Sequence, residues 1–134
     1  MPSKHAALIY TMVLISASDR DMTGLELRSI GDIVERLPVF AEYDATLLPK
    51  TSAECAEMLA GEDGLDATLD IIKTSLPGPL RETAFALAVE IAAADSKVEL
   101  EEMRLLKMVR ERLEIDDLAA AAIERSARAR YTRG

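Results

Sequence analysis

Apolar positions along the chain fall into two dense runs and several periodic stretches, and the two kinds predict different environments. Residues 6–17 and 80–94 are apolar on nearly every helical face, which predicts helices packed on several sides at once. Ser3 is placed to cap the first of these, which should run to about Ser18. Pro77-Gly78 breaks the chain before the second, and Pro79 suits a first helical position. A four-residue link and an amphipathic partner follow each run. In the first partner Thr23-Gly24-Leu25-Glu26 reads as a capping box, Leu27, Ile30, Val34 and Leu37 form an inward stripe, and Pro38 ends the helix. In the second, Met103, Leu106, Val109 and Leu113 are expected to face inward, and Asp116 to cap a last helix over about 117–130. The spacer, residues 38–78, carries a second capping box, Thr51-Ser52-Ala53-Glu54, opening a helix that should stop near Gly61. Leu65, Leu69, Ile72 and Leu76 mark a further helix ended by Pro77, and residues 39–48 suggest one short helical turn. No period-2 pattern of useful length occurs. The expectation is an all-α compact bundle of about six or seven helices.

The two halves are also alike. Residues 7–37 align without a gap on 83–113 at a constant offset of 76, with identities at Val13/Val89, Ile15/Ile91, Ala17/Ala93, Asp19/Asp95, Glu26/Glu102, Glu35/Glu111 and Leu37/Leu113. Such self-similarity predicts one supersecondary unit used twice, hence two pseudo-symmetric helix-loop-helix units with pseudo-equivalent acidic loops. No stretch is low in complexity or linker-like, so residues 1–134 read as a single domain, and the length suits one.

Composition narrows the partners. Ala, Leu, Ile, Val and Met supply nearly all of the 49% hydrophobic content, with no Trp, so the core is aliphatic. A net charge of -8 argues against duplex nucleic acid, whose affinity rests on Lys and Arg facing phosphates. Cations or basic protein surfaces fit better, and self-association stays open. Cys55 is alone, so no intramolecular disulfide forms and a cytoplasmic location is expected. The apolar run at 6–17 leads straight into Ser18-Asp19-Arg20-Asp21 without a cleavage signal and is repeated internally, which speaks against a secretory leader. Neither run reaches the roughly 18 to 20 apolar residues that spanning a bilayer requires.

The acidic links hold the candidate chemistry. Asp19-Arg20-Asp21-Met22-Thr23-Gly24 resembles the opening of an EF-hand loop, but position 12 would be Ile30 rather than a bidentate Glu. A smaller site for calcium, magnesium or manganese from Asp19, Asp21, Thr23 and Glu26 is one reading. The other is that these groups only cap a helix and offset its dipole. The second link offers Asp95, Glu99 and Glu102, with Lys97 where the first has Asp21, so the two loops should not be equivalent and the second should attract a metal less. Glu90 interrupts the second apolar run where the first has Leu14. It either faces solvent or joins Asp95 or a loop of the other unit in a shared pocket. His5 has no second His and no neighbouring Cys, and no nucleophile elbow, phosphate loop or His-Glu-x-x-His helix occurs, so catalysis has no candidate constellation. After Glu124 the chain turns basic, with Arg125, Arg128, Arg130 and Arg133. The simpler expectation is that these offset a helix dipole and fold back on the acidic body; docking to an anionic partner is the alternative.

Apolar helix, Ala-x-Asp, short link, then Glu and a following apolar position, used twice around a helical spacer, is a pattern similar to that of the TerB-like family associated with tellurite resistance. That family is also similar to the amino-terminal part of a membrane-anchored DnaJ-type co-chaperone. The match is closest at Ala92-Ala93-Ala94-Asp95-Ser96-Lys97-Val98-Glu99-Leu100-Glu101-Glu102, where Ser96 replaces the family's usual Gly. The resemblance implies a non-enzymatic stress-response or interaction module, acidic residues near the links (Asp19, Asp21, Glu26, Asp95, Glu102) holding a metal ion, and protein partners in a membrane-associated complex. The alternative class is a small-molecule or metabolite binder using a groove between the two repeats or, with less support, a hydrolase with a carboxylate-bound metal.

Overall fold

The computed structural model of the chain describes residues 2–17, 24–94 and 100–134, with the backbone alone at 24–26. Among the described residues there are seven α-helices, two short 3-10 turns and no strand: α1 (Lys4–Ser16), α2 (Gly24–Arg36), 3-10 turns at Pro38–Phe40 and Ala45–Leu47, α3 (Leu48–Ala60), α4 (Gly64–Ser75), α5 (Gly78–Ala94), α6 (Leu100–Arg112) and α7 (Asp117–Tyr131). The chain is thus all-α. No described helix is long and apolar enough to cross a membrane.

The two apolar runs lie at the centre. In α1 every residue from Ala7 to Ser16 is buried, and in α5 Ala84, Phe85, Leu87, Ala88, Val89, Ile91 and Ala92 are. The helices pack on each other, with α3 and α4 against α1 and α7 against α5. Ala84, Ala88 and Ala92 form an i, i+4, i+8 row of small side chains, which permits close approach by neighbouring helices. Buried Thr11 and Thr68 turn their hydroxyls back to the carbonyls of Ala7 and Gly64, 2.9 and 2.7 Å away, so neither is left unpaired in an aliphatic core.

Local signals set several boundaries. The Ser3 hydroxyl accepts from Ala6 N, and α1 ends at Ser16, short of Ser18, with Ala17 as its C-cap. Asp116 accepts from the amides of Leu118 and Ala119, a cap of the kind worth about 1 kcal/mol. Glu114 adopts left-handed φ 57, and Ile115 N returns to Arg110 O at 3.1 Å, closing α6 as a Schellman motif with a non-glycine residue at its turn.

Three expectations are corrected. The spacer forms two 3-10 turns, at Pro38–Phe40 and Ala45–Leu47, rather than one. Thr51-Glu54 is not a capping box: α3 begins at Leu48, where Pro49 supplies a fixed φ in the first turn. Thr51 lies inside the helix 2.8 Å from the Tyr43 hydroxyl, and Glu54 accepts from Tyr10 at 3.3 Å. Val109 of α6 and Leu113 just after it are buried as expected, but the third member of the row is Leu105, four residues before Val109, while Met103 is 56% exposed and Leu106 only partly covered. Adjacent Leu105 and Leu106 give the helix two overlapping apolar stripes, and packing on the bundle selects the one that carries Glu102 inward, three residues before Leu105.

Candidate functional site

Two places bring the sequence-predicted residues into view. The first is the start of α6. Glu102 lies in the helix's first turn and is 3% exposed, a carboxylate drawn inside the fold where unpaired amides and the helix dipole favour negative charge. Asp95 and Glu99 of the same loop lie outside the described residues. So do Asp19, Asp21 and Thr23 of the first loop and the side chain of Glu26. Among the described residues no group of three His, Cys, Asp or Glu gathers as a metal set.

The second is a cleft of about 450 Å³ at the meeting of α2, α5 and α7. Glu90 of α5 stands in it and is neither fully solvent-facing nor in a purely acidic pocket. Its Oε1 accepts from Arg130 Nη2 of α7 at 2.7 Å. Tyr131 lines the same cleft, and the influence of the Glu90 carboxylate on its hydroxyl, with partial burial, raises its pKa above the usual phenol value. Asp32 and Arg36 of α2 line the facing wall, with Arg36 Nε on the Asp32 carbonyl at 3.2 Å. Two carboxylates and two guanidiniums therefore share one cleft. The basic end of the chain folds back on the acidic body through Arg130, as the simpler reading of that segment expects. Sequence reasoning found Glu90 as an interruption of an apolar run but not its partners, which lie 40 and 41 residues away and share no local signal with it.

His5 and Cys55 do not form a site together. The His5 ring lies beside Phe40 and Tyr43, with Nε2 2.8 Å from Val39 O. Cys55 is buried with Sγ 3.7 Å from Tyr10 O, and burial pushes its thiol up to about 12, far from the thiolate a nucleophile needs.

Comparison of the chain with family models, with curated proteins and with solved structures gave no match in any of the three.

Proposed function

We propose that the chain is a non-enzymatic interaction or stress-response module of the TerB-like kind, in which two pseudo-symmetric helix-loop-helix units present acidic loops to a divalent cation and a protein partner. In this reading it works in the cytoplasm, docked to a membrane-associated complex. The observation that carries the reading is the burial of Glu102 at the end of the second acidic link, since a carboxylate used only for solubility would stay in water. Its support is the constant 76-residue offset, which relates the mutually packed central helices α1 and α5, each leading into one acidic link.

Titration calorimetry on chelator-treated protein tests the cation. Calcium, magnesium or manganese well above the dissociation constant should raise the melting temperature by mass action. Asp19→Asn or Asp21→Asn should abolish most of that rise, and Glu102→Gln a smaller part, because Lys97 already neutralises the second loop. No binding heat and no thermal shift at millimolar ion would reduce these carboxylates to helix caps. Thr23→Ala would then cost about 1 kcal/mol and Asp21→Asn nothing.

One observation favours the second reading, a metabolite binder using a groove between the repeats: the Glu90 cleft joins α2 of the first unit to α5 of the second, and its charges are paired by sign. A zwitterionic metabolite of this class should stabilise the parent chain and lose that effect in Arg36→Ala. A thermal-shift panel in which amino acids and similar zwitterions leave the parent unmoved removes this reading.

A further inference from the structure

A separate trough lies on the other side of Tyr131, between α6 and α7. Both helices pack on α5 and scarcely on each other, so the space between them stays open, with a volume of about 490 Å³. That size falls in the roughly 300 to 1,000 Å³ typical of small-molecule sites. Its floor is built from Val89, Ala92 and Ala93 of α5 and Ala127 of α7, small side chains that leave room above them. Met103 and Leu106 on one wall and Tyr131 on the other add apolar surface. Met103 is there because α6 buries Leu105 instead, and its unbranched, polarizable side chain adapts to whatever lies against it.

The rim has the opposite sign to the rest of the chain. Lys107 and Arg110 stand on the α6 side and Arg128 on the α7 side, with Glu124 the one carboxylate among the lining residues, in a protein of net charge -8. Arg110 is engaged by Asp117, and Lys107 lies 4.0 Å from Glu111. Arg128 makes no ion pair among the described residues, which leaves its planar fork of donors for a ligand carboxylate.

We propose that this trough binds a single-chain carboxylate, a fatty acid of medium length, with its acyl chain along Ala92, Ala93 and Ala127 and its head group on Arg128, in the field of Lys107. Other anions fit less well. A run of phosphates needs a row of cations, whereas Arg110 and Lys107 already face Asp117 and Glu111, and one tyrosine is no stacking platform for bases. The walls are helices with their backbone groups already bonded, so an extended peptide finds no edge to pair with. The site shares no residue with the acidic loops and does not rest on the TerB-like reading.

Calorimetric titration of the full chain with laurate, below its micelle concentration, and with dodecanol of equal chain length tests the proposal. Laurate should bind saturably, one per chain, and at least about tenfold more tightly than dodecanol, as expected for a hydrogen-bonded charged head. Arg128→Glu, at an exposed position, should erase that preference while leaving the melting temperature in place. Ala93→Trp should fill the trough and weaken both ligands; its helical circular dichroism and melting temperature report whether it folds, and Arg128→Glu carries the test if it does not. Absence of saturable laurate binding, equal affinity for acid and alcohol, or a laurate affinity untouched by Arg128→Glu would each overturn the proposal. So would an acidic amphipathic helical peptide that binds this trough when laurate does not.

Discussion

Ile15→Asp should be the most damaging single substitution of those considered, lowering stability by several kcal/mol and leaving little or no cooperative unfolding transition at room temperature. Ile15 is 1% exposed on α1, in a helix buried from Ala7 to Ser16. Removing a buried Ile side chain costs about 2 to 5 kcal/mol by itself. The carboxylate put in its place must also be desolvated or protonated in aliphatic surroundings. Together these approach the roughly 5 to 15 kcal/mol that holds a domain of this size folded. The repeat-equivalent change, Ile91→Asp, should be milder by a measurable margin. Ile91 is 7% exposed and borders the Glu90 cleft, where Arg36 and Arg130 can meet a new negative charge. Urea denaturation followed by circular dichroism decides both points. A midpoint for Ile15→Asp near that of the parent would show that α1 is not the central helix, and Ile91→Asp as damaging as Ile15→Asp would show that the cleft arginines offer it nothing.

Gly64→Ala should also destabilise strongly, by about 2 kcal/mol or more, although alanine is ordinarily favoured over glycine in helices by about 1 kcal/mol. A Cβ built at Gly64 would lie 2.4 Å from Leu59 O and 2.5 Å from Met58 O, both carbonyls of the last turns of α3. The obstruction is backbone, so α4 would have to move off α3 to relieve it. The glycine is required by close approach at the α3–α4 corner, not by a special φ. Gly31 inside α2 is the control, since the nearest atom to a Cβ there is Leu48 Cδ2 at 3.8 Å, an ordinary contact. Gly31→Ala should be neutral or stabilising by up to about 1 kcal/mol, through helix propensity. Melting temperatures in which Gly64→Ala equals or exceeds Gly31→Ala would mean that the α3–α4 corner is looser than its geometry.

The cleft and the trough share Tyr131, which gives α7 a double role. It lines the Glu90 cleft on one side and forms a wall of the apolar trough on the other. A ligand in the trough would therefore lie against a residue that also holds the Glu90 cleft. The short ion pairs elsewhere act differently: Arg112 ties α6 to Asp66 and Asp70 of α4, and Glu114 reaches Lys73 at 3.1 Å, so they fix helix against helix at the surface. Exposed pairs of this kind contribute little each. Their geometry sets how α6 lies on α4 more than how stable the bundle is.

Much of the helix layout was legible in the sequence, because its signals are local. A run apolar on all faces has to be central, whatever surrounds it, and α1 and α5 are. Ser3 and Asp116 cap their helices because each needs only amides two or three residues ahead, and Pro38, Gly61 and Pro77 interrupt because of their own backbone chemistry. The tertiary structure alone decided questions with two locally equal answers. Thr51-Glu54 has capping-box chemistry, but Pro49 and the preceding 3-10 turn start α3 earlier, and partners on other segments, Tyr43 and Tyr10, take both side chains. Leu105 and Leu106 offer α6 two apolar stripes, and only the surface it packs on selects the one that buries Glu102 and leaves Met103 outside. Glu90 was visible as an anomaly, but what it does depends on Arg130 and Tyr131, brought to it by the return of α7 along α5. Periodicity and capping act within about one helical turn and can be read from the chain, whereas the rotation of a helix about its axis and the pairing of distant charges are set by the neighbours it packs against.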